Sequence, residues 1–190
     1  MTVVAVVLAA GEGRRFAASG GVGHKLLALV DGEALVTRAQ RTVLAAGFDD
    51  AVLVEGALDL SAHVLDGFTL VRNDRWPTGL ATSLQAALVH AAGAGHRAAV
   101  VGLADQPWVT TEDWQAVAAA ADTPPIAVAV RQGRRGNPVR LAAAVWPLLP
   151  SSGDEGARAL MRTRPDLVQQ VVCRGEGWDV DTVADLERAD

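Results

Sequence analysis

The sequence is poor in cysteine and contains no apolar stretch long enough to cross a membrane. Its single cysteine, Cys173, cannot form an internal disulfide, and nothing else in the composition indicates an oxidising compartment. The longest apolar run, Val3–Ala10, is far shorter than the roughly 20 residues that a membrane helix needs. No charged segment precedes an apolar segment with a cleavage site, so we expect no signal peptide. These absences favour a cytoplasmic protein without a membrane segment.

Motifs of several common enzyme classes are also missing. There is no Gly-x-Ser-x-Gly, and Cys173 has no base beside it, which disfavours acyl-transfer chemistry. The pattern Gly-x-x-x-x-Gly-Lys-Ser/Thr is absent, which excludes a P-loop NTPase. A dinucleotide fingerprint needs glycine where Phe16 stands, and Glu55 comes too late to bind a ribose, so a nicotinamide enzyme is disfavoured. The four histidines show no metal-ligand spacing.

The charge balance points to a local rather than a general affinity for anions. A net charge of −5 argues against sequence-independent nucleic-acid binding, which requires a basic face. Positive charge is nevertheless concentrated in residues 11–25, which contain Arg14, Arg15 and Lys25. This segment follows Val3–Ala10, whose valine-rich run predicts a strand buried on both faces. A strand leading into a glycine-rich basic loop predicts a nucleotide phosphate site; an ordinary turn with solvated arginines is the alternative.

Along the chain, apolar strands alternate with amphipathic helices. This alternation predicts one three-layer α/β domain over residues 1–190, with a mostly parallel central sheet covered on both faces. Thr82 and Ser83 are suitable N-caps for the second helix. The predicted strands are Val3–Leu8, Ala51–Val54, Thr69–Val71, Ala98–Leu103, Ile126–Val130 and Leu167–Val172. The predicted helices are Ala34–Ala46, Ser83–Ala92, Thr111–Ala121, Ala142–Leu149, Glu155–Arg162 and Val183–Ala189.

Carboxylates follow two of the apolar segments, where the ligands of a parallel sheet bind. Asp105 ends a strong strand, and one or two carboxylates are enough to hold Mg²⁺ together with substrate phosphates. A turn-forming aspartate is the alternative, although Thr110 or Thr111 would supply the cap of the following helix. Asp179 and Asp181 share one face of an extended segment while Val180 points to the core. Either could complete a metal site with Asp105, Asp181 being favoured, or Asp181 and Thr182 could cap the last helix.

Two further polar segments permit a structural interpretation. Residues 133–139, Gly-Arg-Arg-Gly-Asn-Pro-Val, form a basic turn that a solvated hairpin would equally explain. Residues 153–158, Gly-Asp-Glu-Gly-Ala-Arg, indicate a loop entering a helix, with acidic residues at the positive end of the helix dipole.

Taken together in order, six motifs resemble the molybdenum cofactor cytidylyltransferase group of nucleotidyltransferases. They are Leu8-Ala9-Ala10-Gly11-x-x-x-Arg15-Phe16 with Lys25-Leu26-Leu27, Asn73-x-x-Trp76-x-x-Gly79-x-x-x-Ser83-Leu84, Ala104-Asp105-Gln106-Pro107, Gly136-Asn137-Pro138-Val139, Gly153-Asp154-x-Gly156-Ala157-Arg158 and Asp179-Val180-Asp181-Thr182. The resemblance spans nearly the whole chain and implies a Rossmann-like nucleotidyltransferase domain. Two departures are a long segment at residues 17–24 before Lys25, and Phe16 where the group commonly has Met.

The resemblance implies transfer of a nucleoside monophosphate to the terminal phosphate of the molybdenum cofactor, with release of pyrophosphate. Ala9-Ala10-Gly11 goes with CTP in this family, and GTP is the second choice. Mg²⁺ would be held by Asp105 and Asp181, and Arg15 and Lys25 would hold the β- and γ-phosphates. The implied nucleotide-binding residues are Leu8, Ala9, Ala10, Gly11, Gly13, Arg14, Gly79 and Ser83. The implied acceptor-binding residues are Asn137 and Pro138.

Other functions compete with this interpretation. A nucleotidyltransferase on the same fold could act on a sugar, polyol or small organic-acid phosphate, leaving the nucleotide half unchanged. A non-catalytic nucleotide-binding or cofactor-carrier module would bind CTP or GTP without releasing pyrophosphate. A nicotinamide enzyme is the third and weakest alternative. The expected partners are a nucleoside triphosphate, the molybdenum cofactor and, transiently, a molybdoenzyme or its chaperone.

Overall fold

The computed structural model describes residues 2–186, which form a seven-stranded sheet between two layers of helices. Its strands, together with a small two-stranded hairpin, are β1 (Val3–Ala9), β2 (Leu29–Val30), β3 (Glu33–Ala34), β4 (Asp50–Glu55), β5 (Phe68–Arg72), β6 (Ala98–Leu103), β7 (Ile126–Arg131), β8 (Arg134–Ala142) and β9 (Val168–Val172). Its α-helices are α1 (Arg14–Ala18), α2 (Leu35–Ala46), α3 (Leu80–Gly93), α4 (Thr111–Ala118), α5 (Ala157–Thr163) and α6 (Val183–Leu186). The last residues of the helix predicted over Val183–Ala189 lie outside the described residues.

The strand order of the main sheet is β5-β4-β1-β6-β8-β7-β9, and β8 is its antiparallel member. β1 pairs in parallel with β4 on one side and with β6 on the other. The chain therefore first winds outward from β1 to β5, and then returns to continue on the opposite side of β1. The mostly parallel α/β sheet predicted from the sequence is confirmed.

Side chains alternate along β1 between two apolar layers. Val4, Val6 and Leu8 pack on the side covered by α3 and α5, while Ala5, Val7 and Ala9 pack on the side of α2 and α4. Residues 4–7 have no exposed surface at all, as the continuous apolar run predicted. β1 is thus buried on both faces, and its carboxyl end can carry a loop without exposing the core.

The sequence did not predict β8, because Pro138 argues against a strand inside a sheet. The structure accommodates this proline with an irregularity in the β7–β8 pairing: Val128 pairs with Val139, but Ala129 pairs with Gly136. Asn137 and Pro138 are left without ladder partners, and such bulges redirect side chains. The hairpin alternative is correct for the turn at residues 132–133, whereas residues 134–142 form a full strand.

Two helix predictions need correction. The segment predicted as the helix Ala142–Leu149 is a 3-10 helix, Ala143–Leu148, that contains Pro147 and follows directly on β8. The prediction that Thr82 and Ser83 cap the second helix is wrong, because α3 begins at Leu80 and both residues lie inside its first turns. Of the two predicted cap candidates Thr110 and Thr111, Thr110 caps α4, in a reciprocal pair with Asp113.

Gly102 offers a test of how tightly the sheet packs on α4. A Cβ at this position in β6 would lie 2.5 Å from Trp114 Cζ2, in a fully packed layer. We expect Gly102→Ala to lower the free energy of unfolding by about 1–3 kcal/mol, because the ring cannot move without displacing its neighbours. Urea unfolding followed by circular dichroism measures this change.

The matched control for this substitution is Gly93→Ala at the end of α3, where an added Cβ meets nothing within 4 Å. Helix propensity predicts that this variant keeps its stability or gains up to about 1 kcal/mol. Equal stability of the two variants would contradict the packing described for β6 and α4.

Candidate active site

The candidate site lies where the strand order reverses, between β1 and β6. From β1 the chain continues toward β4 on one side of this point and from β6 toward β7 on the other, which leaves a crevice at the carboxyl ends of the two strands. Ala104 N donates to Leu8 O at 3.0 Å, so the two strand ends stay in register. Val180 N donates to Asp105 O at 2.8 Å, which fixes the residue 177–181 segment in the same crevice. Three distant parts of the chain therefore meet there.

Four charged side chains from these segments form one ion cluster. Lys25 Nζ lies 2.6 Å from Asp105 Oδ2 and 3.4 Å from Asp181 Oδ1. Arg15 Nη1 lies 2.5 Å from Asp181 Oδ2. The Lys25 side chain is only 11% exposed, whereas that of Arg15 is 75% exposed. The structure thus brings together the four residues for which the resemblance implies catalytic and metal-binding roles.

The two carboxylates have the chemistry of a partial divalent-cation site. Asp105 Oδ1 is buried and has no hydrogen-bond partner among the described residues, so it retains an acceptor for a cation. No group of three or more His, Cys, Asp or Glu residues within residues 2–186 is arranged to hold a metal. Asp105 and Asp181 would supply only two ligands, which suits Mg²⁺ or Mn²⁺ completed by phosphate oxygens and water. Lys25 Nζ lies between the two carboxylates, at the position where a metal ion would also balance their charge.

Asp179 has a different environment from Asp181. Val180 between them is fully buried, as the extended pattern predicted. Asp179 Oδ1 accepts a hydrogen bond of 2.6 Å from Gln106 Nε2. Burial raises the pKa of Asp179, and the negative charge of Asp105 raises it further. The geometry is thus in keeping with Asp181, rather than Asp179, as the second ligand of a divalent cation, because the Asp181 and Asp105 carboxylates both contact Lys25 Nζ.

The last helix does not use the Asp181 side chain as its cap. Asp185 Oδ2 instead accepts hydrogen bonds from the backbone amides of Asp181 and Thr182. The Asp181 carboxylate therefore remains in the ion cluster.

The long segment before Lys25 folds into a compact support. Phe16 in α1 is buried against Val180, and a Cβ at Gly21 would lie 2.2 Å from its ring, so the chain turns closely over it. His24 Nδ1 accepts from Leu26 N at 3.2 Å, while its Nε2 lies 3.1 Å from Gly11 O. Burial lowers the pKa of His24, which matches a neutral ring that donates from Nε2. His24 thus joins both ends of the loop and holds Lys25 in place.

The beginning of the basic loop is open to solvent. Leu8, Ala9 and Ala10 are buried at the end of β1, but Gly11 is exposed and an added Cβ there would meet nothing within 4 Å. Gly13 has a φ of +72° and leads into α1. Arg14 is 81% exposed and pairs with Glu12 at 2.7 Å, at the edge of the site.

The loop after β5 forms the adjoining wall. Asn73 Nδ2 donates to Thr82 Oγ1 at 3.0 Å and to Ser83 Oγ at 2.9 Å, and all three residues are buried. Ser83 is only 2% exposed and supports Asn73 in this conformation. Gly79, with a φ of +110°, packs so closely on Gly153 that a Cβ would lie 2.4 Å from its carbonyl carbon. This packing places the start of the residue 153–158 segment against the loop after β5.

A second cleft, of about 930 Å³, opens beside the ion cluster and is strongly basic. Asn137 lines it, while Pro138 does not. Trp178, 52% exposed, and the acidic Glu176 and Asp179 also contribute to its lining. Its arginines come from four parts of the chain and are Arg131, Arg134, Arg135, Arg158, Arg162 and Arg174. A chain of net charge −5 therefore concentrates positive charge here, as it does in the basic loop.

Asp113 of α4 holds the inner wall of this cleft together. Its Oδ2 accepts from Arg131 Nη2 at 2.5 Å, and its Oδ1 accepts from Arg174 N at 3.0 Å and Gly175 N at 3.3 Å. Sequence reasoning missed Arg131, Arg162, Arg174 and Trp178, because they lie in separate elements. Arg134 and Arg135, which form a basic turn, and Arg158, which belongs to one of the six motifs, were visible in the sequence.

Two residues that a nicotinamide enzyme or an acyl-transfer enzyme would use are not available for those reactions: the Glu55 carboxylate is bound within the protein, and the Cys173 thiol is unreactive. Glu55 is buried, and its carboxylate accepts from Leu60 N at 2.6 Å and lies 3.2 Å from Arg72 Nη1. It is therefore not presented to a ribose. Burial raises the pKa of the Cys173 thiol to about 11, so this side chain is a poor nucleophile at neutral pH.

Within residues 2–186, no helix combines the length and apolarity that a bilayer crossing requires.

The switch-point crevice, the basic loop and the paired carboxylates define a nucleotide-binding α/β protein. The chain belongs to the family with a MobA-like NTP transferase domain, whose model matches residues 5–170. The family membership predicted from the six motifs is therefore confirmed.

One of the similar proteins is named as an oxidoreductase rather than as a nucleotidyltransferase. The chain is 34% identical to nicotine blue oxidoreductase of Paenarthrobacter nicotinovorans over 206 aligned residues, covering 98% of this chain and 95% of that protein.

The structure of Rv0371c from Mycobacterium tuberculosis H37Rv is 26% identical, with a TM-score of 0.83 and coverage of 100% of this chain and 97% of that one. A further Rv0371c structure, a complex with manganese, is 24% identical with a TM-score of 0.79 and coverage of 100% and 98%. A nucleotidyl transferase from Methanothermobacter thermautotroptrophicus (Mth528) is 25% identical, with a TM-score of 0.79 and coverage of 98% and 95%.

The position of Lys25 leads to a prediction about cation binding. We expect Lys25→Met to strengthen Mn²⁺ binding to the nucleotide-free protein by about tenfold. A unit charge at about 4 Å is worth roughly 4 kcal/mol at an effective dielectric constant near 20, and a tenfold change in affinity requires only about 1.4 kcal/mol of it. Mn²⁺ binding is measured by electron paramagnetic resonance of the free ion.

Arg14→Met is the control, because Arg14 is exposed and paired with Glu12. Its Mn²⁺ affinity should equal that of the unmodified protein. Identical affinities for all three proteins would mean that the Lys25 ammonium does not compete with a cation for the two carboxylates.

Proposed function

We propose that the protein is a Mg²⁺-dependent nucleotidyltransferase that transfers a nucleoside monophosphate from CTP to the terminal phosphate of the molybdenum cofactor. GTP is the second choice of donor, and pyrophosphate is the leaving product. The observation that carries the proposal is the Lys25–Asp105–Asp181 cluster, placed between a basic loop and an arginine-lined cleft. In this proposal residues 1–190 act as one nucleotidyltransferase domain.

The chemistry requires charge neutralisation and alignment rather than a protein nucleophile. An oxygen of the acceptor phosphate attacks the α-phosphorus, and the bond from that phosphorus to the oxygen bridging toward the β-phosphate breaks in line. A bound triphosphate carries about four negative charges, which Arg15 and Lys25 would partly neutralise as pyrophosphate leaves. Asp105 and Asp181 would hold the divalent ion, which lowers the charge on the reacting phosphates when it is bound.

The nucleotide would lie across the carboxyl ends of β1 and β5. The exposed Gly11 and the positive-φ Gly13 leave main-chain N–H groups accessible to phosphate oxygens, with Arg14 at the edge. Leu8, Ala9, Ala10 and Gly79 would present small groups and backbone to the base and ribose. The sequence Ala9-Ala10-Gly11 supports CTP by resemblance. Ser83 would act through Asn73, which it supports.

The arginine-lined cleft would bind the acceptor. Four of its arginines, Arg134, Arg135, Arg158 and Arg174, have no ion-pair partner within 4.0 Å among the described residues, so they are available to an anionic ligand. Asn137 lines the same cleft beside Gln106. The product would pass to a molybdoenzyme or its chaperone, and the reaction would take place in the cytoplasm.

Replacing Asp105 tests the metal-dependent reaction directly. We expect Asp105→Asn to reduce pyrophosphate release by about a hundredfold or more without unfolding, because it removes a ligand charge where the reacting phosphates meet. The protein is incubated with Mg²⁺ or Mn²⁺, one nucleoside triphosphate at a time and purified molybdenum cofactor, and pyrophosphate is quantified.

Asp66→Asn is the matched control, since Asp66 is exposed and distant from the cluster in sequence and fold, and its rate should not change. Turnover of Asp105→Asn near that of the unmodified protein would refute the metal assignment. Nucleotide binding without any pyrophosphate would favour the carrier module. Release only with a sugar, polyol or organic-acid phosphate would favour that class of acceptor.

A second candidate function follows from the 34% identity with nicotine blue oxidoreductase over 98% of the chain. In this function the arginine-lined cleft would bind an aromatic compound, and the reaction would require a redox partner such as a nicotinamide cofactor. The Glu55 carboxylate already accepts hydrogen bonds from Leu60 N and Arg72 Nη1, which argues against its binding the ribose of a nicotinamide cofactor. Titration with NADH and NADPH, followed by addition of nicotine blue, separates the two functions: oxidation of the nicotinamide would favour this one.

A further inference from the structure

Gln106 makes three side-chain hydrogen bonds, all of them to residues that line the basic cleft. It follows Asp105 directly, is only 7% exposed, and lines the cleft together with Asn137 and Asp179. Its Nε2 donates to Asp179 Oδ1 at 2.6 Å and to Gly177 O at 3.3 Å. Its Oε1 accepts from Asn137 Nδ2 at 3.2 Å. One side chain therefore joins the residue 177–181 segment to Asn137 of β8, directly after Asp105 in the chain.

The chemistry of its partners sets the orientation of the Gln106 amide. A carboxylate and a backbone carbonyl can only accept, so the nitrogen of Gln106 must face Asp179 and Gly177. Rotation of this amide by 180° would place an oxygen against two acceptors and leave both without a donor. The oxygen of Gln106 must therefore face Asn137, and Asn137 must in turn direct its nitrogen toward Gln106.

This chain of hydrogen bonds determines what Asn137 offers to a ligand. No donor among the described residues reaches Asn137 Oδ1, and this atom is not among the buried polar atoms without partners. The neighbouring backbone oxygen of Asn137 already accepts from Arg131 Nη1 at 2.7 Å. Among the described residues, the Asn137 side chain is hydrogen-bonded to Gln106 alone, so its orientation depends on Gln106.

We propose that Gln106 is a positioning residue that orients the Asn137 amide so that Asn137 Oδ1 accepts a hydrogen bond from the acceptor molecule. This inference rests on the proposed nucleotidyl transfer for its acceptor. The cleft then recognises the acceptor through two kinds of contact. Its arginines bind anionic groups, whereas Asn137 selects an N–H or O–H donor on the uncharged part of the acceptor.

The first test uses the free protein and needs neither nucleotide nor acceptor. In ¹⁵N-labelled unmodified protein, the side-chain amide protons of Gln106 and Asn137 should exchange with solvent at least tenfold more slowly than those of the exposed Gln170. In Gln106→Met the Asn137 side-chain amide signals should shift and their exchange should accelerate, whereas Gln170→Met should leave them unchanged.

The second test separates positioning from a structural role by steady-state kinetics with CTP, Mg²⁺ and molybdenum cofactor. Gln106→Met should raise KM for the acceptor about tenfold, the factor that one net hydrogen bond is worth. KM for CTP and Mn²⁺ affinity should remain within about twofold of the unmodified values, because the ion cluster keeps its own contacts. Gln170→Met should match the unmodified protein in every constant.

The two tests distinguish failure of this inference from failure of the proposed function. Asn137 amide protons that exchange as fast as those of Gln170, or that do not respond to Gln106→Met, would overturn the inference whatever the reaction is. Equal losses in KM for the acceptor, KM for CTP and Mn²⁺ affinity would also overturn it, since they indicate a structural role. Absence of pyrophosphate release by the unmodified protein would refute the proposed function, and amide exchange would still decide the role of Gln106.

Discussion

The site depends on the attraction between Lys25 and the two carboxylates Asp105 and Asp181. Without a compensating cation, two partly buried carboxylates beside each other would repel and separate the segments that carry them. Lys25 Nζ contacts both, at 2.6 and 3.4 Å, and so joins the loop after β1 to the strand end of β6 and to the residue 177–181 segment. Arg15 reinforces the arrangement from the solvent side.

The sheet topology explains why these charges meet. β1 is central and buried over residues 4–9, and the chain continues from β1 toward β4 on one side and from β6 toward β7 on the other. The buried side chains of Phe16 and Val180 fix the outer parts of the site in one small apolar cluster. Packing thus brings residues that are 80 and 156 positions apart from Lys25 within reach of its single ammonium group.

Much of this architecture follows from local sequence patterns. Valine-rich runs located β1, β4, β6 and β7, because a strand buried on both faces must be continuously apolar. Asp105, Asp181, Arg15 and Lys25 could be named because they follow such runs or belong to motifs. β8 escaped prediction because a proline normally excludes an inner strand, and the pairing irregularity at Asn137 and Pro138 is visible only in three dimensions.

The basic cleft escaped prediction for a different reason. Its arginines lie in β7, β8, α5 and the segment after β9, and no local pattern in a sequence indicates that separate elements face one cavity. Thr82 and Ser83 illustrate the same limit, because hydroxyl residues near a helix start resemble caps until a long-range partner such as Asn73 is known. The family resemblance named nucleotide-binding residues that local patterns could not, and for the acceptor it named Asn137 and Pro138 and included Arg158 in a motif.

The most direct test of the account is the position of a divalent cation beside a bound triphosphate. Crystals of the protein with Mn²⁺ and a non-hydrolysable CTP analogue would be measured at the manganese absorption edge. The account predicts an anomalous peak about 2.1 Å from oxygens of both Asp105 and Asp181, with Lys25 moved toward the phosphates. A peak elsewhere, or a triphosphate bound while Lys25 still bridges the two carboxylates, would contradict it.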